Sequence, residues 1–284
     1  MGEFLVTGPT GDVGRHVVTQ LTEAGLAVRA LVRDPSRARL PEGVEVTGGD
    51  LTAPETLEAA LRGVETVLLA WPFPTWPGPP RQDPPWPDSA AATAGPVVAA
   101  VARHARRIIY LSGDHAVHRE TERHIRGAGV PWTFLRPTGY AADTLGWAGQ
   151  VRRGVVRLPY GTAARSPVHE RDVAAVAVHV LTSAGHGGAA YTISGPEAVT
   201  RADQARIIGE VVGREVRWEE PPPAAAREEL LAAWGDPEAV DDALAAWASF
   251  AGTPERVTDT VQRLLGRRAL TFRQWAGDHV ADFR

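Results

Sequence analysis

The chain has 284 residues, is 44% hydrophobic and 23% charged, and carries a formal net charge of −4. These values fit a globular protein with room for a sizeable core, and they offer no basic field to nucleic acid or to an anionic membrane. Cysteine is absent, which excludes disulfides, thiolate nucleophiles and cysteine-ligated metal. All 30 Lys-or-Arg residues are arginine. No signal peptide is legible at the start, and no run approaches the ~18–20 apolar residues of a membrane helix. The expected location is the cytoplasm.

The first half alternates strands and helices. Glu3 to Thr7 is a short apolar run that predicts a strand ending in glycine-rich sequence. Gly14 to Ala24 has helical apolar spacing at Val17, Val18 and Leu21, and Gly25 ends it. Ala27 to Val32 and Val44 to Thr47 predict strands. Pro54 to Arg62 predicts a helix, with proline in its first turn and Gly63 after its end. Thr66 to Ala70 reads as a buried strand. Trp71 to Asp88 is packed with proline, so it predicts neither regular helix nor central strand. Its Trp71, Phe73, Trp76 and Trp86 either line a pocket for a flat substrate or only pack on a stiff surface loop. Val97 to Ala105 predicts a helix, Arg107 to Ser112 a strand, His118 to Arg126 a helix, and Trp132 to Arg136 a strand. Arg103, Arg106 and Arg107 read as a solvated face before a strand. Single helices between strands imply parallel pairing in a doubly wound α/β sheet of Rossmann type.

After Arg136 the pattern is less regular. Val168 to Ser183 predicts a helix, and His169, Glu170 and Asp172 read as a cap and turn group at its start. Tyr191 to Ser194 predicts a strand and Arg201 to Gly213 a helix. Glu219 to Pro223 is a proline-rich turn. The remainder reads as mostly helical, with Trp234, Trp247 and Trp275 expected to pack a lobe. The expected organisation is a Rossmann core over residues 1–136, to which helix 168–183 returns. Residues 137–284 then supply a smaller, mainly helical substrate lobe.

The strongest local signal is Val6-Thr7-Gly8-Pro9-Thr10-Gly11-Asp12-Val13-Gly14, a G-x-x-G-x-x-G run between a strand and a helix. Gly8 permits the sharp turn, Gly11 lets backbone N–H groups approach a pyrophosphate, and Gly14 permits close helix–strand packing. The helix start adds donors and a partial positive charge. Gly8, Thr10, Gly11, Asp12, Val13 and Gly14 are therefore candidate cofactor contacts. At the end of the second strand, Arg33 suits a 2′-phosphate, with Arg37 and Arg39 nearby. This favours NADP(H). Asp34 competes as an acceptor for a ribose hydroxyl, so NAD(H) stays possible. Asp50 and Leu51 follow the third strand where adenine is held. Ala70 and Trp71 close the fourth strand at the ligand-binding edge.

These phrases resemble the NmrA-like branch of the atypical short-chain dehydrogenases/reductases. The resemblance rests on VTGPTGDVG, on Leu31-Val32-Arg33-Asp34-Pro35, and on Gly49-Asp50-Leu51. It extends to Glu122 with Gly129-Val130-Pro131-Trp132-Thr133-Phe134-Leu135-Arg136-Pro137, to His169-Glu170-Arg171-Asp172-Val173-Ala174, and to Tyr191-Thr192-Ile193-Ser194-Gly195-Pro196-Glu197. Within the branch, His118-Arg119-Glu120-Thr121-Glu122 is similar to the corresponding stretch of NADPH-dependent quinone reductases. The resemblance implies an NAD(P)H-dependent oxidoreductase acting on a quinone-like or aromatic small molecule by hydride transfer. Two other readings stay open: a non-catalytic NADP(H)-binding redox sensor, and a biosynthetic enzyme using the fold for a cyclisation or isomerisation.

The chain has no lysine, so the Tyr-x-x-x-Lys pair of many short-chain dehydrogenases is impossible, and Tyr110 is followed four residues later by Asp114. The expected catalytic residues are Ser112, His118 and Tyr140. Ser112 and His118 are also expected at the nicotinamide ribose, and Tyr140 as a wall of the pocket. His115, His118 and His124 have poor same-face spacing, and no metal site is expected. The expected partner is a small aromatic or quinone-like substrate, with no nucleic acid and no membrane. The expected state is a monomer or homodimer.

Overall fold

A computed structural model describes residues 3–71, 86–113 and 116–284, with residues 86–91 as backbone only. Seven strands form one parallel sheet: β1 (Glu3–Thr7), β2 (Val28–Val32), β3 (Glu45–Gly48), β4 (Val64–Ala70), β5 (Arg107–Leu111), β6 (Trp132–Pro137) and β7 (Ala189–Ile193). Their order is β7-β6-β5-β4-β1-β2-β3. The order reverses between β4 and β1, and in open α/β sheets ligands bind at the strand carboxyl ends beside such a reversal.

The helices are α1 (Gly14–Glu23), α2 (Glu58–Leu61), α3 (Trp86–His104), α4 (Ala116–Gly127), α5 (Ala148–Arg152), α6 (Glu170–Thr182), α7 (Arg201–Val212), α8 (Pro223–Trp234), α9 (Pro237–Gly252), α10 (Thr260–Leu265), α11 (Phe272–Asp278) and α12 (Val280–Phe283). One sheet face is covered by α1 and α6, where Val17, Val18 and Leu21 pack with Val173, Ala177 and Val180. The other is covered by α3 and α4, through Val97, Val101 and Ile125. Burying a side chain such as Leu21 contributes about 2 kcal/mol. Among the described residues no helix is long and apolar enough to cross a membrane.

Three departures from the sequence pattern bear on how the sheet is flanked and extended. Helix α3 starts at Trp86, inside the proline-rich run, and passes through Pro96 instead of starting after it. Pro87 sits in the first turn, where a missing N–H costs nothing, and Pro96 removes one helical hydrogen bond. Arg107 is not on a solvated face. It donates to the carbonyls of Ser183 (2.8 Å) and Leu181, which closes the carboxyl end of α6 with a cation. The return to the sheet also takes more than residues 168–183, because β7 pairs in register with Thr133–Pro137 of β6.

Helices α5, α7, α8, α9, α11 and α12 pack into two further apolar clusters, whereas α2 and α10 pack with the sheet layers. Trp147, Val156, Ile208 and Trp275 centre one apolar cluster, and Leu230, Val240 and Trp247 a smaller one. Trp275 packs in the core as the sequence suggests. The start of α6 ties lobe to sheet. His169 caps it by accepting from the Arg171 N–H at 3.2 Å. Glu170 accepts from Trp275 Nε1 at 3.1 Å and pairs with His279 Nε2 at 2.8 Å. Asp172 accepts from Arg267 Nη1 (2.7 Å) and the Leu270 N–H (2.6 Å). The cap and turn group thus also clamps the carboxyl-terminal helices.

Candidate cofactor and substrate site

The glycine loop joins β1 to α1 at the order reversal. Gly8 has φ of 61°, in the left-handed region where a side chain is disfavoured. A Cβ on Gly14 would lie 2.0 Å from the Gly8 carbonyl oxygen, so only glycine permits this approach. The Gly11 N–H donates to that same oxygen at 3.1 Å. No side chain caps α1, and its first turn has no acidic residue. Its leading N–H groups are thus free of side-chain acceptors, as a pyrophosphate cradle needs. Thr7 Oγ1 donates to the Ala70 carbonyl (2.8 Å) and accepts from the Ala70 N–H (2.7 Å), which locks the ends of β1 and β4 together. These residues fit a dinucleotide.

At the end of β2, Arg33 is exposed. Asp34 is committed locally: its Oδ1 accepts from Ser36 N (3.0 Å) and Ser36 Oγ (2.6 Å), and these bonds hold its carboxyl below the usual range. Asp50 Oδ1 likewise accepts from Thr52 N and Oγ1, both at 2.8 Å, which leaves Oδ2 for another donor. Leu51 is buried beside it. A Cβ on Gly49 would lie 2.7 Å from Leu31 Cδ1, so the chain passes closely here.

Ser112, just past β5, is buried and donates to Glu122 Oε1 at 2.7 Å. Arg136 forks onto the same carboxylate, with Nε to Oε1 at 2.8 Å and Nη2 to Oε2 at 2.5 Å. Arg126 adds a bond to Oε2 at 2.9 Å. Burial pushes the Glu122 carboxyl up, but the bonds from Arg136 and Ser112 outweigh it and hold the group below its ordinary range. The one Ser112 proton is therefore engaged, and its oxygen is left to accept. His118 Nδ1 lies 2.7 Å from the Tyr110 hydroxyl, and the His118 ring packs on Gly113. Burial, together with the Glu122 charge, pushes the Tyr110 phenol up. Trp71 is buried at the end of β4.

Beyond β6 the segment Pro137 to Asp143 returns toward the glycine loop. Tyr140 packs against the apolar cluster that contains Val13 of that loop, and the Asp12 charge adds to the upward push on both Tyr140 and Asp143. Burial pushes the Tyr140 phenol up, and the charges of Asp143 and Asp12 add to the effect. Asp143 Oδ1 is enclosed with no hydrogen-bond partner among the described residues. Burial pushes the Asp143 carboxyl up to about 8, against the opposing pull of Arg165. Arg165 donates to the Thr138 carbonyl at 3.1 Å, is paired with Glu255 at 2.8 Å, and packs against Gly139.

The glycine loop, Ala70 and Trp71 thus converge at the ends of β1 and β4, with Ser112 and His118 at the neighbouring end of β5. Tyr140 reaches this edge from β6. Sequence reasoning missed Asp143, whose signal is an acid after two alanines in an otherwise apolar stretch. It also missed the Tyr110–His118 contact, which spans a loop. Asp114, His115 and residues 72–85, with Phe73 and Trp76, lie outside the described residues, as does the Trp86 side chain.

A family model described as NAD(P)H-binding matches residues 8–184. A (4-alkanoyl-5-oxo-2,5-dihydrofuran-3-yl)methyl phosphate reductase from Streptomyces griseus is 40% identical over 290 residues, 99% of both chains. An NAD(P)H azoreductase from Xenophilus azovorans is 33% identical over 296 residues, again 99% of both. The chain belongs to the NAD(P)H-binding family. The resemblance to NmrA-like reductases holds, and the chain is an NAD(P)H-dependent oxidoreductase. An NADPH-dependent quinone oxidoreductase from Escherichia coli, solved with NADPH, shares the fold at a TM-score of 0.81 and 24% identity, over 97% of this chain and 99% of that one.

Proposed function

We propose that the chain uses NADPH to reduce an electron-poor conjugated double bond in a small flat molecule, of quinone-like or aromatic type. The observation that carries this reading is the enclosed Asp143 Oδ1, with no partner among the described residues, beside Tyr140 and close to the glycine loop. A carboxyl held up to about 8 keeps its proton at neutral pH and has it to give.

The backbone of Gly8 to Gly14 takes the diphosphate, and Arg33 pairs with the 2′-phosphate. Asp34, spent on Ser36, does not compete for a ribose hydroxyl. Asp50 Oδ2 and Leu51 hold the adenine. Ser112, its proton given to Glu122, accepts from a ribose hydroxyl, and His118, steadied by Tyr110, holds the same ribose. NADPH bound there supplies a hydride to one end of the acceptor. Asp143 gives a proton to the other end, so a hydride (two electrons with one hydrogen) and a proton together add two hydrogens across the acceptor, and oxidised cofactor and the Asp143 carboxylate are left. Tyr140 walls the acceptor and keeps water out. The relatives support this acceptor class. One is named for a 5-oxo-2,5-dihydrofuran whose ring double bond is conjugated with carbonyls, the other for azo reduction.

The test is to titrate the protein with NADPH, NADP⁺ and NADH, then add quinones, azo dyes and conjugated lactones while following absorbance of the reduced nicotinamide. Acceptor-dependent oxidation with NADPH preferred is expected. Saturable NADPH binding without oxidation across the panel overturns the reading and moves it to a redox sensor.

A further inference from the structure

A cleft of about 640 Å³, open to solvent on one side, lies between α5, α8 and α9, a volume suited to a small molecule. None of the glycine-loop residues, Ser112, His118 or Tyr140 lines it. Trp147, Leu230, Trp234 and Trp247 give it apolar walls, and the exposed Gly146 and Ala233 mark its mouth. Trp234 and Trp247, expected only to pack the lobe, therefore also border this cleft.

One charge faces that space. Arg201 lines the cleft and is 4% exposed. Its Nη1 is buried with no acceptor among the described residues. Among the described residues no carboxylate forms an ion pair with it. Glu220, which attracts it from a distance, accepts instead from the Tyr160 and Gly161 N–H groups at 2.9 and 3.0 Å. The guanidinium carbon sits 3.8 Å from the centre of the Trp247 ring and 5.6 Å from those of Trp147 and Trp218. Ring faces orient a cation, but they do not replace the hydrogen bonds it lost on leaving water. Trp218 Nε1 is a second buried donor in this cluster with no acceptor among the described residues.

The geometry points to a binding site for a flat organic anion in this cleft, with the Arg201 guanidinium as its anchor and Trp147 and Trp247 as its walls. A carboxylate or phosphate supplies the paired acceptor oxygens that a guanidinium fork takes best. The other lining charges do not do this work. Arg157 pairs with both Glu219 and Glu229. With Arg153 and Arg201 counted against those two glutamates, three cations face two anions, so the lining carries one net positive charge. Burial pushes Arg201 down to about 9, as expected for a cation that has lost water without gaining a counter-charge.

The ligand has two possible sources: an acidic arm of the reduced molecule itself, or a separate small acid that binds beside it. The test is calorimetry of the whole protein with phenyl phosphate, naphthoate and the uncharged naphthyl alcohol, without cofactor. The two anions are expected to bind and the alcohol to bind at least about tenfold more weakly. Arg201→Met is expected to lose the anions to a similar extent. Because that residue also packs the lobe, Ala233→Trp is measured alongside. It fills the mouth from an exposed position, leaves the charge in place, and is expected to block binding while far-ultraviolet dichroism stays unchanged. Competitive inhibition against the acceptor assigns the anion to the reduced molecule, and non-competitive inhibition assigns it to a separate ligand. Failure of both anions to bind, or equal binding of the alcohol, overturns the site even if the protein proves to be an active reductase.

Discussion

Glu122 and Arg201 are both buried ionised side chains, and the molecule treats them in opposite ways. Glu122 is met by Ser112, Arg126 and Arg136, so its acceptor capacity is used within the protein. Arg201 is met by indole rings and leaves Nη1 with no acceptor among the described residues. In a low-dielectric interior the first arrangement fixes structure, and the second holds a charge ready for something that arrives from outside. Asp143 belongs with Arg201: it has an enclosed oxygen with no partner among the described residues, on a carboxyl that burial pushes up. Matched polar groups support the sheet end of the site, and unmatched ones mark where small molecules are met.

Three changes probe this contrast. The largest effect is expected from Gly14→Val, because a Cβ there would sit 2.0 Å from the Gly8 oxygen. The loop has to open, and NADPH affinity should fall by about 100-fold or more. Calorimetry checks it, and unchanged affinity would remove the loop from the cofactor site. Glu122→Leu should come next. Removing one member of a fully buried ion pair costs about 3–5 kcal/mol. Arg136 is a third exposed and re-solvates, so about 2 kcal/mol is expected here in urea unfolding. A neutral result would mean the cluster is not the matched support described.

The smallest effect concerns the clamp on α6. The hydrogen bond with Glu170 raises the His279 pKa above its ordinary 6.5. A raised folded value means the proton stabilises the fold. That contribution is complete below about pH 6.5 and is lost as pH rises through the raised value. The melting temperature should therefore fall by about 1–3 °C from pH 6 to pH 9, and His279→Gln should flatten that slope. An equal slope in both proteins would detach His279 from the clamp.

Legibility from sequence divides along the same line. The glycine loop was readable because its geometry is local: strand, three glycines and helix lie within a dozen residues. The parallel order followed from helices alternating with strands. The role of Arg107 was not readable, because the carbonyls it caps belong to a helix some seventy residues later. Asp143 and Arg201 were hidden for a related reason. Each looks like an ordinary polar residue in its own segment. Only the folding of α8 and α9 over Arg201, and the return of Pro137 to Asp143 toward the glycine loop, removes water from them.

The most direct test of the account is the pH dependence of acceptor reduction in the wild type and in Asp143→Asn, with a conjugated lactone whose product needs a proton. The wild-type rate should hold constant at neutral pH and fall as pH rises through about 8, where Asp143 loses its proton. The variant should be slower by about 100-fold and lack that limb, with NADPH affinity kept. A variant with the wild-type rate and the same alkaline limb would contradict Asp143 as the proton source.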